Sequence, residues 1–252
     1  MARIAYIDPV GPEVATPLLL DELNKVKGSN DEVEFFSLKR GPQHLEYRYY
    51  EAMITTDLIN MVRKLDRENY DACVIGCFYD PGLYAAREIA KNMVITAPAE
   101  SSFNLAMLLG QKFSVLVGRE KHIPRMMENI EYYGYKDRLA SFKALDSGVL
   151  DFHTDESKTM SKLKQKGKEA VKADGAEVII LGCTMQVGFY KELQDYLEVP
   201  VIDPVIAAIK YADYLVELRD RFNWKTSRAR TFEMPPESEI SGWNLDMMYE
   251  IK

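Results

Sequence analysis

Apolar residues along this chain fall into two rhythms: short unbroken runs, and longer stretches with an apolar position every third or fourth residue. Arg3 to Asp8 is a strand candidate of the first kind. Thr16-Pro17 is suited to cap and open a helix whose leucines and valine keep helical spacing as far as Lys27, before Gly28 stops it. Val33 to Leu38 reads as the next strand. After the Gly41-Pro42 turn, Leu45 to Leu65 is a long amphipathic stretch, followed by a strand at Ala72 to Ile75. The second half repeats the order: strand Phe113 to Val117, helix Ile123 to Tyr133, a connection over Ser141 to Asp151, helix Glu156 to Lys172, strand Glu177 to Leu181. Short apolar strands alternating with longer helices predict an α/β fold, a mostly parallel sheet flanked by helices.

One motif ties the halves together. Ala72 to Cys77 and Ala176 to Cys183 are apolar runs closed by Gly-Cys; the cysteines stand 106 residues apart, and each is followed 21 residues later by a proline, Pro98 or Pro204. The same offset lays Tyr84 on Tyr190 and residues 93–98 on 199–204. A shared offset over several elements predicts two pseudo-symmetric lobes. From about residue 221 the pattern stops: Trp224 to Arg230 is polar and basic, and Pro235-Pro236 precludes a continuing helix. Residues 223–252 are therefore expected to be a tail that packs on the body or on a neighbouring subunit.

Composition narrows the partners. A length of 252 residues suffices for two lobes, and no apolar stretch approaches the about 20 residues that span a bilayer. A formal charge of -7, with no Lys/Arg cluster longer than two, argues against nucleic acid and for a small-molecule substrate. The first residues lack a secretory signal, and three cysteines are too few and odd for a disulfide framework, so a cytoplasmic protein with free thiols is expected. His44, His122 and His153 lack metal-ligand spacing, and no nucleotide-binding or serine-hydrolase motif is present, so no metal or cofactor is expected. Tyr47, Tyr49, Tyr50 and Met126-Met127 read as packing residues.

The chemistry is left to sulfur. In open parallel sheets ligands bind beyond the carboxyl ends of the strands, which is where both Gly-Cys pairs fall. Asp80-Pro81 is placed to cap a helix over Leu83 to Lys91, and Thr184 a second from about Met185 to Leu197, each with its N-terminus beside a cysteine. Such a terminus stabilises a thiolate and can hold a developing oxyanion. One thiolate would take a proton from one face of a carbon and the opposite thiol return one to the other face, which inverts a stereocentre without cofactor. Only the mixed state, one thiol and one thiolate, is productive, so a bell-shaped pH profile belonging to the pair is expected. Cys73 lies about 13 Å along its strand from Cys77 and reads as a small buried hydrophobe.

These residues resemble the aspartate/glutamate/hydantoin racemase superfamily, in particular its hydantoin and allantoin racemase branch, from about residue 3 to 218. The most specific match is Gly76-Cys-Phe-Tyr-Asp-Pro-Gly-Leu83 with Ala85-Ala-Arg-Glu88. Gly41-Pro-Gln-His-Leu-Glu46 with Glu51-Ala52, Leu109-Gly-Gln-Lys-Phe-Ser-Val115, Asp146, Val149-Leu-Asp151, and Gly175-Ala-Glu-Val-Ile-Ile-Leu-Gly-Cys183 also match. The resemblance implies two lobes, residues 1–98 plus about 205–222 and residues 99–204, with the site in the cleft, Cys77 and Cys183 as opposed acid and base, no cofactor, and a homo-oligomer. It implies a racemase or epimerase acting next to a carbonyl in a 5-substituted hydantoin, allantoin or related cyclic ureide. The alternatives are cis-trans isomerisation of an unsaturated diacid of the maleate type by the same cysteines, or ligand binding without turnover; decarboxylation fits less well. Departures from the branch cluster where substrate is expected: Asp8-Pro-Val-Gly11 for an Asn-Pro-Asn type loop, Tyr79 for Gly, Val117-Gly118 for a threonine-bearing strand end, and Thr184-Met185 for Ala-Gly. With Phe78, the residues expected to touch substrate are thus Asp8, Pro9, Phe78, Tyr79, Val117, Gly118, Thr184 and Met185.

Overall fold

Each half of the chain runs through the same succession of four strands and four helices. In a computed structural model describing residues 2–12, 17–29 and 31–249, the first half comprises β1 (Arg3–Asp8), α1 (Pro17–Val26), β2 (Glu32–Ser37), α2 (Arg48–Arg67), β3 (Ala72–Ile75), α3 (Leu83–Ile89), β4 (Val94–Thr96) and α4 (Pro98–Leu109). The second comprises β5 (Phe113–Val117), α5 (Ile123–Tyr132), β6 (Leu139–Ala144), α6 (Glu156–Asp174), β7 (Val178–Leu181), α7 (Tyr190–Leu197), β8 (Val201–Ile202) and α8 (Pro204–Phe222). Both sheets are parallel throughout, ordered β2-β1-β3-β4 and β6-β5-β7-β8, so the duplicated pattern becomes two duplicated lobes.

The central strands explain why the pattern was visible. Residues 4–7 and 72–75 are all fully buried, as are 113–117 and 178–181, and strands covered on both faces read as unbroken apolar runs. β6 was expected to be part of a connection. It is an edge strand, half-buried at every position, and its Leu-Ala-Ser-Phe-Lys-Ala sequence lacks such a run. Pro98 and Pro204 each end an apolar run and also open a helix, since proline at the first helical position loses no hydrogen bond.

Those two helices cross over. α8 buries Val205, Ala208, Ile209, Ala212 and Val216 against Tyr6 and Val74 of the first sheet. α4 turns Phe103 and Ala106 toward the second sheet, and Phe103 stacks on Phe113 with ring centroids 5.2 Å apart. The final helix of each half therefore covers the sheet of the other.

One capping expectation is corrected, and another, that of Thr16, lies outside the described residues. Asp80 does not cap α3, which begins at Leu83 behind Gly82 in the left-handed region (φ 65°) and stops at Ile89, short of Lys91. Its carboxylate instead accepts the Ala99 and Glu100 N–H groups of α4, both at 2.9 Å. The reason is that α4 starts behind Ala97, which has no acceptor, whereas α8 starts behind Asp203, which accepts the N–H groups of Val205 and Ile206 itself.

Beyond α8, two short helices, α9 (Glu237–Gly242) and α10 (Leu245–Met248), lie on the first lobe. Arg228 donates to the carbonyls of Arg87, Glu88 and Ala90, which are the orphan acceptors at the end of α3, and Phe232 stacks on Tyr84. Arg63 and Arg67 on α2 pair with Asp246. Among the described residues no helix is long and apolar enough to cross a membrane.

Candidate active site

The two Gly-Cys pairs leave the carboxyl ends of β3 and β7, the inner strands of their sheets. Each glycine donates its N–H to the neighbouring strand in the same way, Gly76 to Ile7 (2.7 Å) and Gly182 to Leu116 (2.8 Å). Side chains are barred there by close approach: a Cβ on residue 76 would lie 2.4 Å from the Tyr6 ring, and one on residue 182 would lie 2.8 Å from the Leu116 carbonyl oxygen. The chain then turns alike in both lobes, with Asp80 N–H donating to Cys77 O and Gln186 N–H to Cys183 O. In each turn the amide two residues on, Tyr79 or Met185, donates to the cysteine sulfur.

The turns meet. Thr184 Oγ1 donates to the Gly76 carbonyl at 3.2 Å, which links the second cysteine loop to the first across the cleft. This corrects the expectation that Thr184 caps a helix from Met185: residues 184–186 form a single 3-10 turn, and α7 begins only at Tyr190. The first loop is also gripped from the other lobe, because Arg125 and Asn129 of α5 both donate to the Tyr79 carbonyl, at 2.9 and 2.8 Å. Arg125 is in turn paired with Glu51 of α2 at 2.7 Å.

Between the loops lies a small cavity of about 60 Å³ that opens to solvent. Cys77, Cys183, Asp8, Pro9, Phe78, Tyr79, Gly118, Thr184 and Met185 all line it. Val117 does not. It is fully buried on the face of β5 shared with Phe113 and Val115, so it ends the strand and leaves Gly118 to reach the cavity. Cys73 is buried in the first lobe, in line with its reading as a core residue. Glu46 and His122 also line the cavity and were not anticipated as site residues: His122 was weighed only as a metal ligand, and Glu46 only as part of a motif. A larger groove between α6 and α7 is open to solvent and edged by lysines and glutamates, with neither cysteine in it. Among the described residues no cluster of His, Cys, Asp and Glu could hold a metal.

Electrostatics separate the two carboxyls of the cavity. Burial alone pushes the Asp8 carboxyl up to about 7. Burial presses Glu46 the same way, but the Val149 N–H and the Arg119 guanidinium, each 2.6 Å from a carboxylate oxygen, hold it below its usual range. The thiols are both raised. Burial pushes Cys183 up to about 12, with nearby Glu46 and Asp8 adding to the rise and the Met185 N–H opposing it. Burial also pushes Cys77 well up, with the Tyr79 N–H opposing and the charge of Cys183 adding to the rise. Each cysteine keeps a partly exposed surface toward the cavity.

Asp8 makes a stability prediction. An acid whose folded pKa of about 7 exceeds its unfolded value near 3.9 binds its proton more tightly when folded, which stabilises the native state fully below about pH 4 and not at all once pH has risen past 7. The difference amounts to up to about 4 kcal/mol. Asp8→Asn is therefore expected to raise the melting temperature at pH 8.5 by several degrees and to change it little at pH 4.5, as followed by thermal unfolding. An equal shift at both pH values would show that Asp8 is not a buried charge.

Comparison with known proteins agrees with this architecture. The family model described as Asp/Glu/Hydantoin racemase matches residues 4–212. The hydantoin racemase of Paenarthrobacter aurescens is 37% identical over 238 residues, covering 94% of this chain and 99% of that protein. Allantoin racemase from Klebsiella pneumoniae superposes with a TM-score of 0.86 at 27% identity, covering 94% of both chains. A maleate isomerase from Pseudomonas putida S16, at 15% identity and a TM-score of 0.64 over 86% of this chain and 93% of its own, shares the fold alone. By sequence over most of its length and by fold over both lobes, this chain belongs to the Asp/Glu/hydantoin racemase family and is a racemase.

Proposed function

We propose that the chain inverts the carbon next to a carbonyl in a 5-substituted hydantoin, allantoin or related cyclic ureide, with Cys77 and Cys183 as the two acid/base groups and no cofactor. The observation that carries this reading is the convergence of both cysteines on one small cavity, with their loops joined by the Thr184 to Gly76 hydrogen bond. The thiolate of one cysteine takes the α-proton, the adjacent carbonyl oxygen gains the charge, and the thiol of the other delivers a proton to the opposite face. Cyclic ureides suit thiol bases because the ring carbonyl and the acylated nitrogen acidify the α-proton, which lowers the barrier left to the enzyme. Backbone N–H groups at both loops favour the negative charge that each sulfur must carry in turn.

The cavity's own charge counts against the diacid alternative. A cis-diacid dianion would lie beside the ionised Glu46 and beside Asp8, whereas a neutral ring would not be repelled. The test is a panel of single enantiomers, 5-substituted hydantoins, allantoin, aspartate and glutamate, incubated with the protein in heavy water, with maleate added separately. Loss of optical rotation with uptake of one deuterium at the stereocentre is expected for a cyclic ureide. Fumarate from maleate, or binding of a ureide with neither inversion nor exchange, would reject the proposal.

A further inference from the structure

The two thiols leave two polar groups of the same cavity unused. Glu46, just ahead of α2 in the first lobe, and His122, in a 3-10 turn after β5 in the second, are 8% and 3% exposed and approach each other across the cleft. The backbone N–H of Arg119 donates to His122 Nδ1 at 3.4 Å, which makes Nδ1 the bare nitrogen and leaves the hydrogen on Nε2. That Nε2–H is enclosed by protein and has no hydrogen-bond partner among the described residues. Glu46 Oε2 stands 3.9 Å from it, too far for a hydrogen bond. The carboxylate is itself anchored, Oε1 by the Val149 N–H and Oε2 by Arg119, with lone pairs to spare on both oxygens. The Tyr79 ring, edge-on to the imidazole at 6.1 Å, holds its plane. A buried donor left without a partner costs about 1–3 kcal/mol, which a ligand carbonyl would recover.

We propose that His122 and Glu46 form a recognition subsite for a cis-amide edge, the ring N–H of the substrate donating to Glu46 and the neighbouring ring carbonyl accepting from His122 Nε2–H. The proposal rests on the cyclic-ureide reading of this cavity and adds to it the residues that select such a ring. In a five-membered ring every amide is cis, so an N–H and the next carbonyl point out along one edge, and a donor and an acceptor 3.9 Å apart where the two lobes meet can engage both. A secondary open-chain amide is trans and directs the two groups to opposite sides. A free amino acid or a diacid has no such edge. The pair thereby favours a ring amide over a secondary open-chain amide, an amino acid or a diacid, and it needs no charge on the substrate.

The test uses one enantiomer of 5-benzylhydantoin and its N1-methyl and N3-methyl derivatives, with initial rates from optical rotation. His122→Phe, which keeps an aromatic ring and removes the donor, is expected to raise KM about tenfold while kcat changes by less than about threefold, the size of one lost hydrogen bond. His122→Gln, which restores a side-chain N–H, should recover most of that loss, which a merely structural role for the ring would not produce. Methylation of the nitrogen facing Glu46 should cost the wild type about tenfold in kcat/KM and cost Glu46→Ala less than about twofold. If Glu46→Ala does not fold, the two His122 variants decide. An unchanged KM in His122→Phe, or a wild type indifferent to methylation at both nitrogens, overturns the subsite while racemisation by the wild type leaves the proposed function standing. A wild type that racemises neither these three hydantoins nor allantoin overturns both.

Discussion

Cys77→Ala and Cys183→Ala are each expected to lower the rate of racemisation by about 10²–10⁴-fold, the usual contribution of a positioned acid or base, while the fold survives. Survival is expected because each cysteine is only partly buried and its removal opens a small gap facing the cavity; the cost is of order 1 kcal/mol, readable as a small shift in thermal unfolding. The two variants should also differ in a way that only opposed groups can produce. In heavy water the surviving sulfur can still reach one face of the carbon, so each variant should exchange the α-proton of one enantiomer, slowly and without inversion, and the two variants should choose opposite enantiomers. Full inversion by either variant, or the same enantiomer exchanged by both, would show that the sulfurs do not serve opposite faces.

Much of this site was legible before any coordinates. The Gly-Cys ends of β3 and β7 stand out because inner parallel strands are fully apolar and because the glycines cannot carry a side chain against Tyr6 or Leu116. The two candidate thiols were therefore marked out by a local signal. What the pattern hid was everything that depends on contact across the cleft. Asp80 looks like the cap of the helix that follows it, and only the crossing of α4 shows that its carboxylate serves a helix starting at Pro98. Thr184 looks like a second cap, yet its hydroxyl bonds to Gly76, 108 residues away in sequence. His122 and Glu46 are separated along the chain by nearly a whole lobe, so no spacing rule could pair them. The edge strand β6 was missed for the opposite reason, since half-exposure mixes polar and apolar residues and erases the run that betrays an inner strand. Duplication was read from the sequence because both lobes preserve the packing around their inner strands; apart from the repeated Gly-Cys pairs, the cleft between them is lined by residues at which the lobes differ, such as Phe78 and Tyr79 against Thr184 and Met185.

The bell-shaped pH profile expected from the sequence should show only its ascending limb over the accessible pH range. In the proposed two-thiol mechanism only the state with one thiol and one thiolate acts, and burial raises both cysteines, Cys183 to about 12 and Cys77 beyond the usual thiol range. A raised pKa means that at neutral pH the empty site holds two thiols, so raising the pH populates the productive state. Log kcat/KM is expected to climb with a slope near one between pH 6 and pH 9, about tenfold per unit, as required when one proton must leave the free enzyme. The descending limb needs the second thiol to ionise beside the first thiolate, and that repulsion moves it to still higher pH. Asp8 supplies an internal check. Its charge raises the Cys183 thiol but forms only as pH passes about 7, so Asp8→Asn should move the part of the ascending limb above pH 7 toward lower pH by a fraction of a unit and leave the part below it in place. Initial rates at 25 °C, with folding monitored by circular dichroism at each pH, separate these effects from the loss of native stability that the buried Asp8 charge brings above pH 7. A rate maximum at or below pH 7 would show that one sulfur is already a thiolate in the resting site, held there more strongly by the Tyr79 or Met185 N–H than burial opposes it.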